Sequence, residues 1–497
     1  MQTRARTKTL AELGLTVPGG ADTRITGLSV DSRDVKEGHL FAALPGTKMH
    51  GAEFIQFALR MKAGAILTDR EGAGIASDVL TGDVPVVIAE DPRETLAFTA
   101  ALWFEAQPEV QVAVTGTNGK TSVASFSRQL WTEMGAEAIS VGTTGVEGAY
   151  TARLHHTTPE PITLHRVLAE AADAGVTHAA MEASSHGLAQ KRVDGVRLRA
   201  AGFTNLSQDH LDYHADFEEY FAAKAGLFAR VLPEDGTAVI NIDDPYGPRM
   251  AEIAEDRGQD LLTVGRSSDA MLQILGQRYD ATGQELRFEW AGRIQQIRLG
   301  LIGGFQAENA LVAAGLCIGT GADPQEVFDT LPMLETVRGR MQFAARRDNQ
   351  AAVFVDYAHT PDALATALKA IRPHVLGRLI VVFGAGGDRD RGKRPLMGRA
   401  AMDHADVIFV TDDNPRSEDP DLIRREIIGG IRSGDYNEVG DRAEAILRAV
   451  DTLGPGDTLL IAGKGHETGQ EIGDTILPFD DVEQASVAVA ALDGKGL

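Results

Sequence analysis

Apolar positions along the chain follow two alternating patterns, which together predict an α/β protein. Short apolar runs, typical of buried strands, are separated by longer segments whose apolar residues recur with the spacing of one helix face. Regular alternation of this kind predicts parallel β-α units. The predicted strands are Ile25–Val30, Leu40–Ala43, Ala65–Thr68, Val84–Ala89, Ala179–Glu182, Gly202–Asn205, Ala238–Asn241, Ala352–Asp356, Leu379–Phe383, Val407–Thr411 and Thr458–Ala462.

Changes in this pattern predict the domain boundaries. At roughly 150 residues per domain, a chain of 497 residues predicts about three domains. Gln107-Pro108 precedes a strongly apolar run, whereas Leu272–Leu299 alternates apolar and polar residues, which indicates antiparallel strands. A third series of strands begins after Gly339-Arg340-Met341. The predicted domains are residues 1–108, 109–338 and 339–497.

A glycine-rich turn follows the apolar run that ends at Thr115 and precedes a helical pattern with an apolar face. Backbone N–H groups of such a turn, together with a helix N-terminus, bind phosphate oxygens. Lys120 would reach the terminal phosphates and the Thr121 hydroxyl would coordinate Mg²⁺. Val114 replaces the first glycine of the usual pattern. The alternative is a tight strand-to-helix turn whose lysine faces water. We therefore predict an α/β protein of three domains: a central P-loop parallel-sheet ATPase domain, a C-terminal Rossmann-like domain and a smaller N-terminal α/β domain.

Charge and composition exclude several classes of protein. The net charge of −23 argues against a nucleic-acid partner, because phosphate-backbone binding needs a basic surface. The single cysteine, Cys317, excludes an internal disulfide and lies in an apolar helical run, which favours core packing. Glu12 and Gly14 interrupt the apolar run that a secretory signal needs. No run approaches the roughly 18 apolar residues of a membrane helix. We expect a cytoplasmic protein that does not insert into membranes.

Three polar residues stand out between the phosphate loop and residue 230. Glu182 ends a predicted strand, where it would hold Mg²⁺ or else cap the next helix. His210 lies in a His- and Asp-rich stretch that suits a metal or phosphate, with a polar loop as the alternative. Lys224 occupies an apolar helical stripe with Phe221 and Phe228. Burial would favour its neutral amine, which accepts CO₂ to give an anionic carbamate. The stripe alone favours the alternative, in which the lysine extends its ammonium group into water.

Polar turns follow three strands of the third segment. The carboxyl ends of parallel strands meet at one edge, so these turns should share one rim. Arg389 and Arg416 would each bind a carboxylate, and Asp413 and Glu467 would accept hydrogen bonds from an ammonium group. The rim suits a zwitterionic, amino-acid-like ligand, with a surface ion-pair network as the alternative. Asp356 would contact nucleotide or metal, or cap the helix after it.

Together these stretches resemble the Mur ligase family, in order and across all three segments. The general motifs are Gly116–Thr121, Met181–His186, Asn205–His214, Tyr220–Lys224 and Val355–Pro361. Three further motifs resemble those of the members that add diaminopimelate: Gly387–Pro395, Asp413–Arg416 and Gly463–Glu467. The resemblance implies ATP-driven addition of meso-diaminopimelate to UDP-N-acetylmuramoyl-L-alanyl-D-glutamate through an acyl phosphate, in peptidoglycan precursor synthesis. It also implies ATP and Mg²⁺, small-molecule substrates as the only partners, and a monomer.

The resemblance assigns roles only to matched positions. The ATP-binding residues would be Gly116, Thr117, Asn118, Gly119, Lys120, Thr121, Ser122, Asn309, Arg340 and Asp356. The catalytic residues would be Lys120, Glu182, His210 and carbamylated Lys224, and the Mg²⁺ ligands Thr121, Glu182, His210 and Lys224. The UDP-muramoyl dipeptide would contact Val30, Ser32, Thr47, Lys48, Met49, Thr157, Thr158, Ser184, Gln190 and Arg192. Diaminopimelate would contact Arg389, Asp413, Asn414, Pro415, Arg416, Gly463 and Glu467.

Arg416 carries the predicted specificity, because diaminopimelate has a second amino-carboxylate group that lysine lacks. A buried ion pair between Arg416 and the second carboxylate of diaminopimelate would disfavour lysine by several kcal/mol. Gln306 departs from the family, which often has Asn there, and Lys48-Met49-His50 is not distinctive. We expect a hinge near Gly339 to close over the acyl phosphate. Other interpretations remain: a lysine-adding or other Mur ligase, a folylpolyglutamate synthase, a nucleotide-binding regulator or transport ATPase, or a nucleotide-free scaffold.

Overall fold

The computed structural model describes residues 6–46, 49–82, 84–154, 156–207, 216–432 and 436–494. It divides into two compact units. The first comprises Met1–Gly265 and Val312–Val327, and the second comprises Arg266–Leu311 and Phe328–Leu497. Across the described ranges, none of the helices combines the length and the apolar character that crossing a membrane requires.

The first unit begins with a small parallel sheet. Its four strands pair in chain order: Gly27–Ser29, His39–Ala42, Ala65–Thr68 and Val86–Ile88. A separate antiparallel pair joins Lys8–Thr9 to Arg24–Ile25. The predicted strand Ile25–Val30 is therefore wrong as one element, because its two halves pair with different partners on either side of Thr26. The helical elements here are Ser32–Asp34, Gly51–Phe54, Ile55–Arg60, Arg70–Ile75 and Pro92–Phe104.

The rest of the first unit is built around a larger sheet in which the predicted parallel pairing is confirmed. The strands lie in the order Asp260–Gly265, Thr237–Asn241, Ala200–Phe203, Val110–Thr115, His178–Glu182, Ala138–Gly142 and an antiparallel Gly145–Gly148. The helices are Lys120–Glu133, Pro161–Asp173, Ser185–Ala189, Phe217–Gly226 with the π-helical turn Leu227–Val231, and Gly247–Asp256. The helix after the glycine-rich turn buries Val123, Phe126 and Leu130 completely, which confirms its predicted apolar face.

A long helix, Phe305–Gly319, carries Cys317 fully buried, as predicted for a packing residue. It is followed by the helix Pro324–Thr330 and the 3₁₀ turn Leu331–Met333. The predicted antiparallel region is confirmed in the second unit. Its strands are Leu272–Asp280, Gly283–Trp290 and Arg293–Leu299.

The main sheet of the second unit is parallel except for one edge strand. Its order is Gln342–Arg346, Ala352–Asp356, Thr458–Ala462, Leu379–Phe383, Val407–Val410 and Tyr436–Glu438, with only the first strand antiparallel. Val381 and Leu460 pack on one face, and Ile380 and Leu459 pack on the other. Burial of both faces explains why these strands are continuous apolar runs in the sequence.

Helices cover both faces of this sheet. They are Pro361–Ile371, the 3₁₀ turn Arg372–His374, Lys393–His404, Pro420–Ile428, Arg442–Asp451 and Asp481–Leu492. A hairpin, Gly469–Ile472 with Thr475–Pro478, lies outside the sheet. Because the strands run parallel, the turns after Phe383, Val410 and Ala462 leave the same edge. The predicted common rim is confirmed.

Candidate active site

The phosphate loop leaves the carboxyl end of a central strand in the first unit. Gly116 has a φ of +151°, and a Cβ there would lie 1.9 Å from Thr204 Oγ1, so only glycine fits. Thr117 N donates to Asn205 O and Asn118 N donates to Asn205 Oδ1, both at 2.9 Å. The neighbouring strand end therefore fixes the loop conformation.

Lys120 folds back over this loop. Its Nζ donates to the carbonyl oxygens of Gly116 and Thr117, both at 2.9 Å. The alternative of a lysine that merely faces water is therefore wrong. The ammonium group therefore lies against the backbone of the glycine-rich turn, the kind of turn whose N–H groups bind anions.

Glu182 lies beside the loop with a buried carboxylate that is only 2% exposed. Thr121 Oγ1 donates to Oε2 at 3.1 Å, and Thr143 N donates to Oε1 at 2.8 Å. An ideal Cβ on Gly142 would lie 2.1 Å from Oε1, so glycine is needed to make room for the carboxylate. Glu182 does not cap the next helix, because Ser184 Oγ accepts from Gly187 N instead. That alternative is wrong.

Lys224 approaches the same loop from the helix Phe217–Gly226. It is 1% exposed, and its Nζ donates to Gly116 O at 2.7 Å. Nζ also lies 4.6 Å from the Tyr220 ring centroid, and the Tyr220 hydroxyl is 3.1 Å from Thr117 Oγ1. The alternative in which Lys224 reaches water is wrong, because the phosphate loop covers the end of the side chain.

The donor set around Glu182 fits a hard divalent cation. A buried carboxylate beside the Thr121 hydroxyl supplies the oxygen ligands that Mg²⁺ prefers. His210, the third predicted ligand, lies outside the described residues. Within the described ranges, no group of three or more His, Cys, Asp or Glu side chains is arranged to hold a metal ion.

The predicted dipeptide-binding residues form one hydrogen-bonded network next to Glu182. Thr157 Oγ1 is 3.0 Å from Thr143 Oγ1, while Thr158 Oγ1 donates to Glu182 O at 2.8 Å. Ser184 N donates to Thr158 Oγ1 at 3.0 Å. Arg192 donates to Thr158 O at 2.7 Å and, through Nη2, to Gln190 Oε1 at 2.8 Å. These five residues are therefore brought together.

The predicted uridine-side residues lie apart from this network along the chain. Val30 and Met49 have 38% and 57% of their surface exposed, and Ser32 begins a 3₁₀ turn. Thr47 and Lys48 lie outside the described residues. His50, which the sequence did not single out, accepts from Ala52 N at 3.0 Å through Nδ1.

The three predicted nucleotide-side residues of the second unit lie among polar partners. Asp356 accepts from Met341 N at 2.7 Å and from Ala358 N at 2.9 Å, whereas Thr360 caps the following helix. The capping alternative for Asp356 is therefore wrong. Burial raises the pKa of Asp356, and the nearby Arg340 guanidinium opposes that shift. Asn309 donates to Gln306 Oε1 at 3.0 Å, so Gln306 orients the Asn309 amide.

The two rim arginines differ in how firmly they are held. Arg416 has a φ of +50°, a left-handed conformation that is rare outside glycine. Its Nη1 donates to Gly387 O at 3.0 Å, and its Nε lies 2.5 Å from Glu471 Oε2. Arg389 is exposed, and its Nη1 donates to Asp388 O at 3.2 Å.

The acidic part of the rim is buried at Asp413, whereas the Glu467 side chain is 34% exposed. Asp413 and Asn414 are each 6% exposed, and Asn414 Nδ2 donates to Glu467 Oε2 at 3.0 Å. A Cβ on Gly463 would lie 2.4 Å from Asp413 Oδ2, so glycine permits this approach. The pKa of Glu467 is raised by burial and by Asp413. A surface ion-pair network is therefore the wrong description of this part of the rim.

Four residues that contact predicted site residues were missed in the sequence. Thr143 contacts Glu182, and Glu471 contacts Arg416. Lys464 contacts Asn414, and Tyr220 contacts Thr117. Tyr220 and Lys464 lie inside motifs that had been recognised, which was the signal available. Pro415, by contrast, was predicted. A Cβ on Gly387 would lie 1.9 Å from the carbonyl oxygen of Pro415, so glycine at position 387 permits this close approach.

Comparison with known proteins finds three models of one family that match successive parts of the chain. The Mur ligase catalytic domain matches residues 24–103, the Mur ligase middle domain residues 114–317, and the Mur ligase glutamate ligase domain residues 339–465. Three similar proteins are each named UDP-N-acetylmuramoyl-L-alanyl-D-glutamate–2,6-diaminopimelate ligase. The one from Bradyrhizobium diazoefficiens is 48% identical over 95% of this chain and 96% of its own length. The one from Chelativorans sp. is 49% identical over 94% and 95%.

The third is a solved structure with a TM-score of 0.73 and 34% identity, covering 98% of this chain and 99% of the other. Identity at this level over nearly the full length of each relative shows common family membership, and the predicted resemblance is confirmed. The chain therefore belongs to the Mur ligase family of ATP-dependent amide-bond ligases.

Proposed function

We propose that the chain joins meso-2,6-diaminopimelate to UDP-N-acetylmuramoyl-L-alanyl-D-glutamate at the expense of ATP, in peptidoglycan precursor synthesis. The observation that carries this proposal is the rim of the second unit. There, Arg416 is held by Gly387 O and Glu471, on the same rim as the buried Asp413 and the partly exposed Glu467. A guanidinium and two carboxylates match the carboxylate and ammonium groups at the far end of diaminopimelate. The relatives' names support the same substrate.

The phosphate loop is the proposed site for the ATP phosphates. Backbone N–H groups from Gly116 to Ser122 and the ammonium group of Lys120 would bind the terminal phosphates. Asn309, Arg340 and Asp356 are the proposed nucleotide contacts of the second unit. A carboxylate of the dipeptide attacks the γ-phosphorus, which gives an acyl phosphate and ADP. The amine of diaminopimelate then attacks the acyl carbon, and phosphate leaves.

Thr121, Glu182, His210 and a carbamate on Lys224 are the proposed Mg²⁺ ligands. The bound ion would reduce the repulsion between the dipeptide carboxylate and the triphosphate. In the unmodified chain, the Lys224 amine donates to Gly116 O. The network of Thr157, Thr158, Ser184, Gln190 and Arg192 would hold the dipeptide beside Glu182. The uridine end would meet Val30, Ser32, Thr47, Lys48 and Met49.

The proposal extends to organisation and cellular role. Residues 1–108, 109–338 and 339–497 would serve as the uridine-side, ATP-binding and amino-acid-binding domains of a cytoplasmic monomer. Its product would serve cell-wall synthesis, and through it cell shape and division.

A panel of amino acids tests this function. The purified chain, ATP, Mg²⁺ and the uridine-linked dipeptide are incubated with meso-diaminopimelate, lysine or ornithine, and both phosphate release and product mass are scored. We expect rapid phosphate release and rapid formation of a product of the tripeptide mass only with diaminopimelate, and at most slow coupling of lysine. Equal coupling of lysine would refute the proposed substrate. ATP hydrolysis that does not depend on any amino acid would instead favour a regulator or transport ATPase.

A further inference from the structure

A fully buried lysine lies behind the amino-acid rim. Lys464 follows Gly463 at the end of the strand Thr458–Ala462, and its side chain is 0% exposed. Its Nζ donates to Asn414 Oδ1 at 2.7 Å and lies 3.6 Å from Glu467 Oε2 and 3.7 Å from Asp413 Oδ1. Three oxygen atoms thus face the three N–H bonds of one ammonium group. A buried ammonium group is tolerated only with partners of this kind.

This contact fixes which way the Asn414 amide points. Its Oδ1 accepts from both Lys464 Nζ and Glu471 N, the latter at 3.0 Å. A flipped amide would turn its NH₂ group toward these two donors, which is unfavourable because neither can accept a hydrogen bond. Nδ2 is therefore left to donate to Glu467 Oε2 at 3.0 Å. Lys464 thereby positions Glu467 directly and also through Asn414.

The charges around Lys464 do not cancel. The neighbouring Arg442 forms a fully buried ion pair with Asp481 at 2.7 Å, so those two charges balance each other. Lys464 then faces two carboxylates, Asp413 and Glu467, which leaves one negative charge in excess among these three groups. Lys393 also interacts electrostatically with Asp413, and Arg416, which is paired with Glu471, interacts with Glu467. Burial and Asp413 raise the pKa of Glu467, as expected for a carboxylate that lacks a full counter-charge. A ligand ammonium group would supply that missing charge.

We propose that Lys464 is a positioning residue of the amino-acid site: it holds Asp413, Asn414 and Glu467 in the arrangement that receives an ammonium group of the incoming amino acid, without touching that ligand itself. This inference rests on the proposed function, because it takes the amino acid to be diaminopimelate. It assigns part of the amino-acid affinity to a side chain that lies beneath the binding surface.

The test replaces Lys464 with methionine, which keeps most of the side-chain volume and removes the charge. We expect KM for diaminopimelate to rise by about 10-fold or more, with kcat and the KM values for ATP and the dipeptide changed by less than about 2-fold. The KM for diaminopimelate should also fall as the pH rises, because burial and Asp413 raise the pKa of Glu467, Lys464 opposes that shift, and without Lys464 the Glu467 carboxyl must lose its proton to receive an ammonium group. A loss of packing alone would not give a pH-dependent KM. Lys369→Met is the matched control, because Lys369 is an exposed lysine on the helix Pro361–Ile371.

The outcomes separate this inference from the proposed function. If the unaltered chain does not couple diaminopimelate, the proposed function fails. If the unaltered chain couples it and Lys464→Met leaves its KM and pH profile unchanged, the positioning role of Lys464 fails. Should the methionine variant not fold, Lys464→Arg keeps the buried charge but places a planar fork where a single N–H meets Asn414. We expect it to raise the KM for diaminopimelate by about 3-fold or more, and an unchanged KM would overturn the proposal.

Discussion

Replacing Arg416 with alanine measures how much of the amino-acid selectivity one guanidinium group provides. In the proposed complex this group pairs with the second carboxylate of diaminopimelate. A charged hydrogen bond contributes about 1.5–3 kcal/mol. The Arg416 side chain is 22% exposed, so solvent screens the pair in part and we take about 3 kcal/mol for the whole interaction. That free energy corresponds to roughly a 100-fold loss of kcat/KM for diaminopimelate.

Lysine lacks the second carboxylate, so its slow coupling should change by less than about 2-fold. The ratio of the two kcat/KM values, measured by phosphate release with each amino acid, should therefore fall by roughly the same 100-fold. Arg372→Ala is the matched control, because Arg372 also belongs to the second unit, has a side chain that is 48% exposed and pairs with Asp406. If Arg416→Ala lowers kcat/KM equally for diaminopimelate and lysine, the residue supports the fold of the rim and does not recognise the second carboxylate.

Three other perturbations test separate parts of the structure. His165 is fully buried, and burial lowers its pKa to about 4 from 6.5. The folded chain favours the neutral imidazole, so His165 does not reduce the unfolding free energy above pH 6.5. As the pH drops from 6.5 toward 4, the unfolded chain binds the proton more readily and the unfolding free energy falls. Measured by denaturant unfolding, the unaltered chain should lose about 2.5 kcal/mol more unfolding free energy by pH 4.5 than the His165→Gln variant does. Equal losses in the two chains would contradict this. Lys224→Ala should abolish turnover, with partial recovery in added acetate or formate; full activity in the variant would refute the carbamate role. Arg442→Met should cost about 3–5 kcal/mol of unfolding free energy, because it leaves the buried Asp481 carboxylate without its counter-charge. Adding Asp481→Leu to the same chain should restore most of that free energy. If it does not, the ion pair is not the source of the loss.

The sheets of both units could be predicted from the sequence because buried parallel strands are continuous apolar runs. Ala65–Thr68, Leu379–Phe383 and Thr458–Ala462 have the predicted bounds. The failure at Ile25–Val30 has a physical cause: pairing partners are chosen by tertiary contacts, and two partners divide one apolar run at Thr26. The strand Ala138–Gly142 was not predicted, although it pairs with His178–Glu182 at the centre of the site.

The predicted site residues lie in short motifs, whereas many of the residues that hold them come from elsewhere in the chain. Glu182 was found from its position at a strand end, but Thr143, which donates to its carboxylate, lies 39 positions earlier with no local pattern to mark it. Glu471 likewise meets Arg416 only because a hairpin returns toward the rim. Pattern and spacing identify groups that suit a chemistry; which distant side chain orients them depends on the folded topology.

The overall acidity of the chain explains why its two candidate sites are built differently. With a net charge of −23, the protein repels anions on average, so a phosphate site must be locally cationic. The phosphate loop meets this need with backbone N–H groups and with the ammonium group of Lys120, which lies against the loop. The rim of the second unit combines Arg416 with the buried Asp413 and the partly exposed Glu467 instead. A purely cationic rim would also attract phosphates and dicarboxylates, whereas these carboxylates repel such anions and favour a ligand that brings its own ammonium group.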